Sequence, residues 1–271
     1  REVDAIVHVI RCFENDNIVH VDGKIDPVDD KEIIDTELQL KDLETVSKRI
    51  EKEAKVAKSG DKSAKQNIAV YEKIKARLES GQNARMLEAD DSEKQIIKEL
   101  QLLTSKPVIY VANVEEENVH DGNQFVDDLR ASIANENAQL IIVSASIEAQ
   151  IAEFDDPEEK QMLLEEYSLK ESGLNQLIKA AYSILNLITY FTAGKQEVRA
   201  WTIKKGWKAP QAAGVIHTDF EKGFIKSEVI KLKDYQELKT ELACREAGKI
   251  AIQGKDYVVD DGDIMHFRFN V

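Results

Sequence analysis

The chain has 271 residues, of which 42% are hydrophobic and 32% charged, and its formal net charge at pH 7 is −14. This composition excludes disordered and fibrous proteins, and no apolar run approaches the roughly 18 residues that a membrane span requires. The two cysteines, Cys12 and Cys244, do not form a disulfide or zinc framework. We therefore expect a cytoplasmic protein of two or three domains with no membrane association. The apolar run that follows Arg1 directly predicts that the sequence starts inside a domain.

Three short apolar runs predict buried strands. They are VDAIVHVI (3–10), KPVIYVANV (106–114) and AQLIIVSAS (138–146). Continuous apolar runs of this length are typical of a parallel sheet covered by helices. Between the last two runs, QFVDDLRASIANEN (124–137) places Phe125, Leu129 and Ile133 on one helical stripe. The resulting strand, helix and strand predict a right-handed βαβ unit.

Residues 31–104 interrupt this pattern with long helical periodicity. Apolar residues recur every three or four positions, first at Leu40, Leu43, Val46, Ile50, Ala54 and Ala57, and then, after the turn KSGDKS, at Ala64, Ile68, Tyr71, Ile74 and Leu78. This spacing predicts an antiparallel, coiled-coil-like hairpin inserted between two strands, with a third helix over about 91–104. An arm that binds a partner and a purely structural insertion are both open.

The sequence pattern changes in the last part of the chain, from helical spacing to short alternating runs. A helix predicted from about Ser172 to Ile188 closes the α/β part, and the alternating runs EVRAWTI, GVIHTDF, FIKSEVI and DYVVDDGDIMHFRFN follow it. DYQELKTELACREAGK supplies one or two helical turns, so we expect an α+β module. The predicted domains are 1–29 with 105–189, the arm at 30–104, and the module at 190–271.

The charge is distributed unevenly between these domains. Residues 190–271 contain 14 Lys and Arg against 12 Asp and Glu, which gives +2 and leaves −16 for the rest of the chain. A basic module on an acidic body suggests contact with a polyanion, and ordinary surface variation is the alternative.

Several catalytic and phosphate-binding motifs are absent from the sequence. The four Gly-Lys pairs, at Gly23, Gly194, Gly248 and Gly254, are not followed by Ser or Thr, so there is no Walker A loop. The five histidines have no metal-ligand spacing, and no nucleophile elbow or Ser-His-Asp arrangement occurs. The sequence therefore lacks the catalytic residues that a metabolic enzyme would need.

The strongest remaining signal is NVEE, from Asn113 to Glu116, at the end of a predicted buried strand. Ligands of open α/β sheets bind just outside the carboxyl ends of the strands. An asparagine amide can donate to a purine N7 and accept from an adenine amino group, whereas the Glu116 carboxylate suits guanine donors and adenine poorly. A turn-capping asparagine is the alternative. Glu115 and Glu117 are predicted to be solvated loop charges.

A second polar loop follows one βα unit later. Ser144 and Ala145 end the next predicted strand and place a backbone N–H and a small side chain where a base could lie flat. The two loops together, in this order, are more specific than either one alone.

With these motifs the chain resembles the YchF subfamily of Obg-like P-loop ATPases, in the TRAFAC class. NVEE resembles its base-recognition motif Asn-x-x-Glu, which replaces the Asn-Lys-x-Asp of GTPases, and SAS (144–146) resembles its next base-contact loop. RCFENDNIVHVDGKIDPVDD (11–30) resembles the segment that leads into the family's helical arm. The C-terminal strings, from TYFTAGKQEVRAWTI to GKDYVVDDGDIMHFRFNV, resemble its TGS module, a β-grasp fold.

The resemblance implies an α/β fold and a nucleotide-dependent function. The expected architecture is a parallel-sheet P-loop GTPase-like domain, incomplete at its N-terminus, with an inserted helical coiled-coil arm and a C-terminal α+β β-grasp (TGS) domain. The expected function is that of a regulatory switch that binds and hydrolyses ATP in preference to GTP, uses Mg²⁺ and associates with the ribosome or its RNA, and not with DNA. Carried over to this sequence, the purine contacts are Asn113, Val114, Ser144 and Ala145, with Phe13 as a further wall.

The sequence also departs from this family pattern. The P-loop, the Mg²⁺-contacting segment and the switch segments are absent from the 271 residues, so most triphosphate affinity is expected to be missing. We expect that this polypeptide alone does not hydrolyse ATP. A non-catalytic scaffold, in which the arm and TGS module bind RNA or the ribosome, is the alternative.

Overall fold

The structure, a computed structural model, describes residues 2–15, 23–194 and 197–270. Residues 16–22 of the segment leading into the arm, and 195–196 of the C-terminal strings, therefore lie outside the described residues. Tertiary contacts divide the chain into two units, 1–181 and 182–271. This division precedes the predicted domain boundary at 190, because the first strand of the second sheet already begins at Leu187.

The first unit is an α/β domain with an inserted helical arm. In chain order its elements are β1 (Ile6–Arg11), α1 (Pro27–Ala57), α2 (Lys62–Glu79), a 3-10 turn (Ala84–Met86), α3 (Asp91–Glu99), β2 (Val108–Asn113), a 3-10 turn (Glu116–Asn118), α4 (Gln124–Ser132), β3 (Gln139–Val143), α5 (Ala145–Glu153), α6 (Pro157–Glu166) and α7 (Gly173–Ile184), which spans the division. The helices α5 and α6 were not predicted from the sequence.

The sheet of the first unit is parallel, with the order β1-β2-β3. Arg11 is in register with Asn113, and Asn113 with Val143, so the three strands end at the same level. Central strand β2 is buried from Val108 to Ala112, as its uncharged sequence predicts. The predicted parallel α/β fold is confirmed.

Helix α4 covers one face of this sheet. Leu129 and Ile133 are buried and Phe125 packs against them, together with Tyr110 of β2. This is the predicted helical stripe. The helix itself ends at Ser132, five residues before the predicted end, because the chain turns there towards β3.

The arm consists mainly of α1 and α2, which pack against each other through an apolar stripe. Its buried residues are Val46, Val70, Tyr71, Ile74, Leu78, Ala84, Leu100 and Leu102. The predicted stripe of α2 is largely correct, but Leu40 of α1 is 62% exposed. The prediction for Leu40 was wrong because the first half of α1 buries a polar stripe instead. That stripe contains Lys31, Asp35, Gln39 and Asp42.

Polar groups hold the root of the arm together and join it to the α/β domain. Asp42 accepts hydrogen bonds from the backbone of Leu103 (3.1 Å) and from the backbone and hydroxyl of Thr104 (2.7 and 2.8 Å). Nearby, Glu136 accepts from Lys31 at 2.8 Å and from Arg85 at 2.7 Å. The Asp42 contacts therefore fix α1 to the end of the arm, and the Glu136 contacts fix the start of α1 and Arg85 to the sheet domain.

The second unit is a mixed α+β module. Its elements are β4 (Leu187–Ala193), β5 (Val198–Lys204), α8 (Ala209–Ile216), α9 (Thr218–Lys222), β6 (Phe224–Ile230), α10 (Leu232–Leu238), α11 (Glu241–Glu246), β7 (Ala251–Gln253) and β8 (Ile264–Phe269). The strand order is β5-β4-β8-β6-β7, with β4 parallel to β8 and the other pairs antiparallel. The predicted α+β module with a mixed sheet is confirmed.

Two predictions for the second unit were wrong in detail. GVIHTDF (214–220) is helical and not a strand, because α8 begins with Ala209 and Pro210 and buries Ala212 and Ala213 against the sheet. The helix predicted to reach Ile188 ends at Ile184. Asn186 then takes a left-handed conformation (φ 53°), which turns the chain into β4. Among the described residues, no helix could cross a membrane.

Candidate functional site

An open cavity of about 850 Å³ lies at the carboxyl ends of the three parallel strands, a volume typical of ligand sites. Its lining includes all six residues predicted from the sequence: Phe13, Asn113, Val114, Glu116, Ser144 and Ala145. Asn15, Glu115, Glu117, Ser146 and Tyr167 complete it. The predicted residues meet because β1, β2 and β3 end at the same level.

Asn113 occupies the centre of this edge. Its backbone carbonyl accepts from the Cys12 N–H at 2.8 Å, and its side-chain Oδ1 accepts from the Ala145 N–H at 3.0 Å. The amide is therefore held in one orientation. Its Nδ2 makes no hydrogen bond to any described residue, which leaves two N–H donors for a ligand.

This arrangement differs from the expected roles of Asn113 and Ala145. The Ala145 N–H, expected to face a base, donates to Asn113 instead. Because that bond uses one lone pair of Oδ1, the side chain of Asn113 offers mainly its donors rather than a donor and an acceptor. Ala145 itself is exposed at the start of α5, whereas Ser144 is only 2% exposed.

Phe13 and Val114 form apolar parts of the lining in different ways. The Arg11 guanidinium lies 4.7 Å from the centre of the Phe13 ring and donates to the Phe13 carbonyl at 3.0 Å, so the ring is held in place. Val114 is 3% exposed and packs in the core. Little of the Val114 side chain is therefore available to a ligand.

Glu116 is turned towards protein donors. Its Oε1 accepts from the Ser146 hydroxyl at 2.7 Å and from Gln150 at 3.2 Å, and its Oε2 accepts from the Tyr167 hydroxyl at 3.0 Å. The hydrogen bonds from Ser146 and Tyr167 hold the pKa of Glu116 below its usual value. Glu115 and Glu117, by contrast, are exposed, as solvated loop charges would be.

Three comparisons place the chain among known proteins. A family model described as YchF-GTPase_C, a protein of unknown function, matches residues 187–270. The Bacillus subtilis protein named ribosome-binding ATPase YchF is 54% identical over 273 residues, which cover 100% of this chain and 74% of that protein. Obg-like ATPase 1 of Gallus gallus is 43% identical, covering 98% of this chain and 68% of that protein. The chain belongs to the YchF family.

The structure of the Schizosaccharomyces pombe YchF GTPase supports the same family assignment. It matches this chain with a TM-score of 0.84 at 40% identity, over 98% of this chain and 72% of that one. The family and the GTPase-like fold predicted from the sequence are therefore confirmed for this YchF member.

Sequence reasoning missed three residues of this YchF site. Ser146, Gln150 and Tyr167 hold Glu116, although Tyr167 lies 51 positions away. Ser146 is part of the SAS motif and could have been noticed, but nothing in the sequence marks Gln150 or Tyr167. Within 2–15, 23–194 and 197–270, no group of three or more His, Cys, Asp or Glu side chains could hold a metal ion.

Proposed function

We propose that the cavity at the strand ends binds the adenine base of ATP, as part of a cytoplasmic ATPase that associates with the ribosome. The observation that carries this proposal is the Asn113 amide, which is fixed by Ala145 and keeps its donors unpaired. The relatives named ribosome-binding ATPase YchF support the activity and the partner. The division into a base-binding domain, an arm and a TGS module, at the boundaries predicted above, belongs to the same proposal.

The base would be read in two steps. The Nδ2 group of Asn113 donates to N7, an acceptor that adenine and guanine share, so this contact selects purines without distinguishing them. Glu116 decides between them. Its carboxylate already accepts from Ser146, Gln150 and Tyr167, and so it is not offered to the N–H donors of guanine. Adenine does not need a contact with this carboxylate, so the arrangement favours ATP over GTP.

The described residues would form only the base half of the nucleotide site. Mg²⁺, when bound with ATP, neutralises charge on the phosphates. The 271 residues contain no Walker A loop, and no described cluster of side chains fits a metal ion. We therefore propose that this polypeptide alone does not turn over ATP. Release of phosphate above the buffer rate, dependent on Mg²⁺ and on the chain concentration, would contradict this.

Two substitutions of Asn113 test base recognition separately from the fold. Asn113→Asp keeps an oxygen for the Ala145 N–H but removes the donor, whereas Asn113→Ala removes both. One neutral hydrogen bond contributes about 0.5–1.5 kcal/mol, so Asn113→Ala is expected to weaken ATP binding by roughly 2- to 12-fold. Asn113→Asp is expected to weaken it by at least as much, because its carboxylate also repels the lone pair of N7. NMR titration of the 271-residue chain with ATP measures Kd, and the Ala145 amide signal of the unliganded protein reports whether its hydrogen bond is kept.

The Ala145 amide signal is expected to stay as in the wild type in Asn113→Asp and to shift in Asn113→Ala. Both variants are expected to bind ATP more weakly than the wild type. A wild-type Kd for Asn113→Asp would overturn the assignment of the donor to the base. Weakened binding in Asn113→Ala alone would mean that Asn113 acts only by positioning Ala145.

The switch function has a non-catalytic alternative, a scaffold that binds the ribosome through the arm and TGS module. The 31-residue helix α1 favours an interaction role, because a helix of that length extends about 46 Å. Sedimentation with ribosomes, with and without a non-hydrolysable ATP analogue, separates the two. A nucleotide-dependent yield supports the switch, and equal yields support the scaffold.

A further inference from the structure

A second cavity, of about 370 Å³, lies at the root of the arm. It is bounded by residues 3–4 before β1, the segment 84–89, helix α3, and residues 101–107 before β2. It shares no residue with the cavity at the strand ends. The charged residues of its lining are mostly basic, although the chain as a whole carries −14: Arg85, Lys94, Lys98, Lys106 and the single acid Asp4.

Lys106 is a buried cation without a carboxylate partner. Only two lysines are buried in the part of the chain that the structure describes, Lys31 and Lys106. Lys31 forms ion pairs with two carboxylates. The Lys106 ammonium instead donates to two neutral acceptors, the Val3 carbonyl at 2.5 Å and Gln101 Oε1 at 3.3 Å, and no described carboxylate pairs with it. Because an ammonium has three donors and a buried charge is costly unless it is paired, Lys106 is suited to an anionic ligand.

Further positive charge comes from α3 and from the segment before it. Lys94 and Lys98 are four residues apart on one face of α3, and both line the cavity. Lys94 pairs with Asp91 at 3.1 Å, whereas Lys98 has no ion-pair partner among the described residues. Arg85 is held by Glu136, but its Nε is buried and bonds to no described group. Two elements of the lining thus contribute basic groups whose donors are not all used.

The rest of the lining is mainly apolar. Leu87, Ile97 and Pro107 are half-buried and form much of its wall. Asp4 is exposed, so solvent weakens its repulsion of an anion. The volume lies at the lower end of the range for small-molecule sites, about 300–1,000 Å³. A cavity of this size and composition fits a small molecule that has one strongly anionic group and a compact apolar part.

We propose that this cavity binds a small phosphate monoester, with its phosphate at Lys98 and Lys106 and its organic part against Leu87, Ile97 and Pro107. A phosphate monoester carries a charge of about −1.5 to −2 at pH 7, which matches two lysines without carboxylate partners better than the single charge of a carboxylate does. Lysine binds phosphate as a point charge and needs no planar partner. The bound ester would join α3 of the arm to the residue that leads into β2.

NMR titration of the 271-residue chain with phenyl phosphate measures both the Kd and the location of binding. The amide signals of Lys98, Gln101 and Lys106 are expected to shift, and those of Asn113 and Ala145 to stay, because the two cavities share no residue. Benzenesulfonate has a similar shape but a single charge, and inorganic phosphate lacks the organic part. Both are expected to bind several-fold more weakly than phenyl phosphate.

Three variants that each remove one positive charge separate the site from the net charge of the chain. Lys106→Met keeps the aliphatic stem, and the loss of a hydrogen bond to a charged group is expected to weaken phenyl phosphate binding by roughly 10- to 100-fold. Lys98→Gln changes an exposed side chain and should weaken binding by roughly 1.5- to 5-fold. Lys52→Gln, at an exposed position of α1 outside the cavity, is the control and should keep the wild-type Kd. Circular dichroism checks the fold of each variant, and Lys98→Gln decides the question if Lys106→Met does not fold.

Several results would overturn this assignment. Equal Kd values for Lys98→Gln and Lys52→Gln would mean that α3 does not contact the ligand. Shifts at Asn113 and Ala145 in place of Lys98 and Lys106 would mean that the phosphate enters the cavity at the strand ends. Equal binding of benzenesulfonate would show that the cavity does not select a phosphate, and equal binding of inorganic phosphate would show that it does not bind the ester. Binding of adenine is measured at different amide signals, so it holds or fails separately from all of these results.

Discussion

Replacing Glu136 by glutamine is expected to destabilise the first unit substantially. The Glu136 carboxylate accepts from Lys31 (2.8 Å), Arg85 (2.7 Å) and the Tyr110 hydroxyl (2.9 Å), and its side chain is only 13% exposed. A glutamine must direct an NH₂ group towards one of these donors. Removing one partner from a buried ion pair costs about 3–5 kcal/mol. Because Lys31 keeps Asp35 at 2.9 Å, we expect the lower end, about 3 kcal/mol.

This loss corresponds to a fall in Tm of roughly 6–12 °C for a unit of this size. Circular dichroism at 222 nm follows the helices, most of which lie in the first unit, while tryptophan fluorescence reports only the second unit, which contains both Trp201 and Trp207. Glu44→Gln, at an exposed pair with Lys48, is the control and should leave Tm unchanged. A wild-type Tm for Glu136→Gln in the circular dichroism signal would show that the Glu136 carboxylate does not stabilise the first unit.

The same substitution has a defined pH dependence. Burial opposes the charged form of Glu136, but hydrogen bonds from Lys31 and Arg85 outweigh it and hold the pKa of this carboxyl below its ordinary 4.5. A lowered folded-state pKa stabilises the protein above the unfolded-state value, and this contribution is lost as the pH falls through the folded value. The difference in stability between wild type and Glu136→Gln should therefore be full at pH 7 and should shrink below about pH 4.5. A difference that grows on acidification would contradict this sign.

Three further substitutions or reactions probe the site and its surroundings. Glu116→Asp has a shorter side chain that cannot keep its contact with Tyr167, so it should raise the affinity for GTP relative to ATP in competition titrations. Glu117→Asp is the control and should leave that affinity ratio unchanged. The same ratio of GTP to ATP affinity in both variants would count against the role of Glu116. Gly173→Ala should lower the free energy of unfolding in urea by about 1–3 kcal/mol, because a Cβ would lie 2.5 Å from Val143 Cγ1. An unchanged free energy of unfolding would mean that Val143 moves to relieve the contact. Burial raises the pKa of Cys12 to about 12, so its thiol should resist iodoacetamide at pH 8 until the protein unfolds, and rapid labelling would disprove its burial.

The parts of the structure that the sequence predicted follow from local patterns. Uncharged runs predicted the strands, and because parallel strands end together, the side chains after those runs were expected to meet. Phe13, Asn113 and Ala145 do line one cavity. The α2 stripe followed from helical spacing in the same way.

The remaining features depend on contacts between distant residues. The partners of Glu116 lie 30 to 51 positions away, and no spacing rule connects them. The polar stripe of α1 was missed because Asp42 and Lys31 have the composition of a solvated face, and their burial becomes favourable only through Thr104 and Glu136. GVIHTDF alternates like a strand, but the packing of α8 against the second sheet outweighs that local preference.

A crystal structure of the chain with a non-hydrolysable ATP analogue tests most directly whether the Asn113 amide binds the purine at the carboxyl ends of the strands. Adenine N7 is expected within about 3 Å of Asn113 Nδ2, with Glu116 still bound to Ser146 and Tyr167. An adenine bound elsewhere, or a Glu116 carboxylate turned from Tyr167 towards the base, would contradict it.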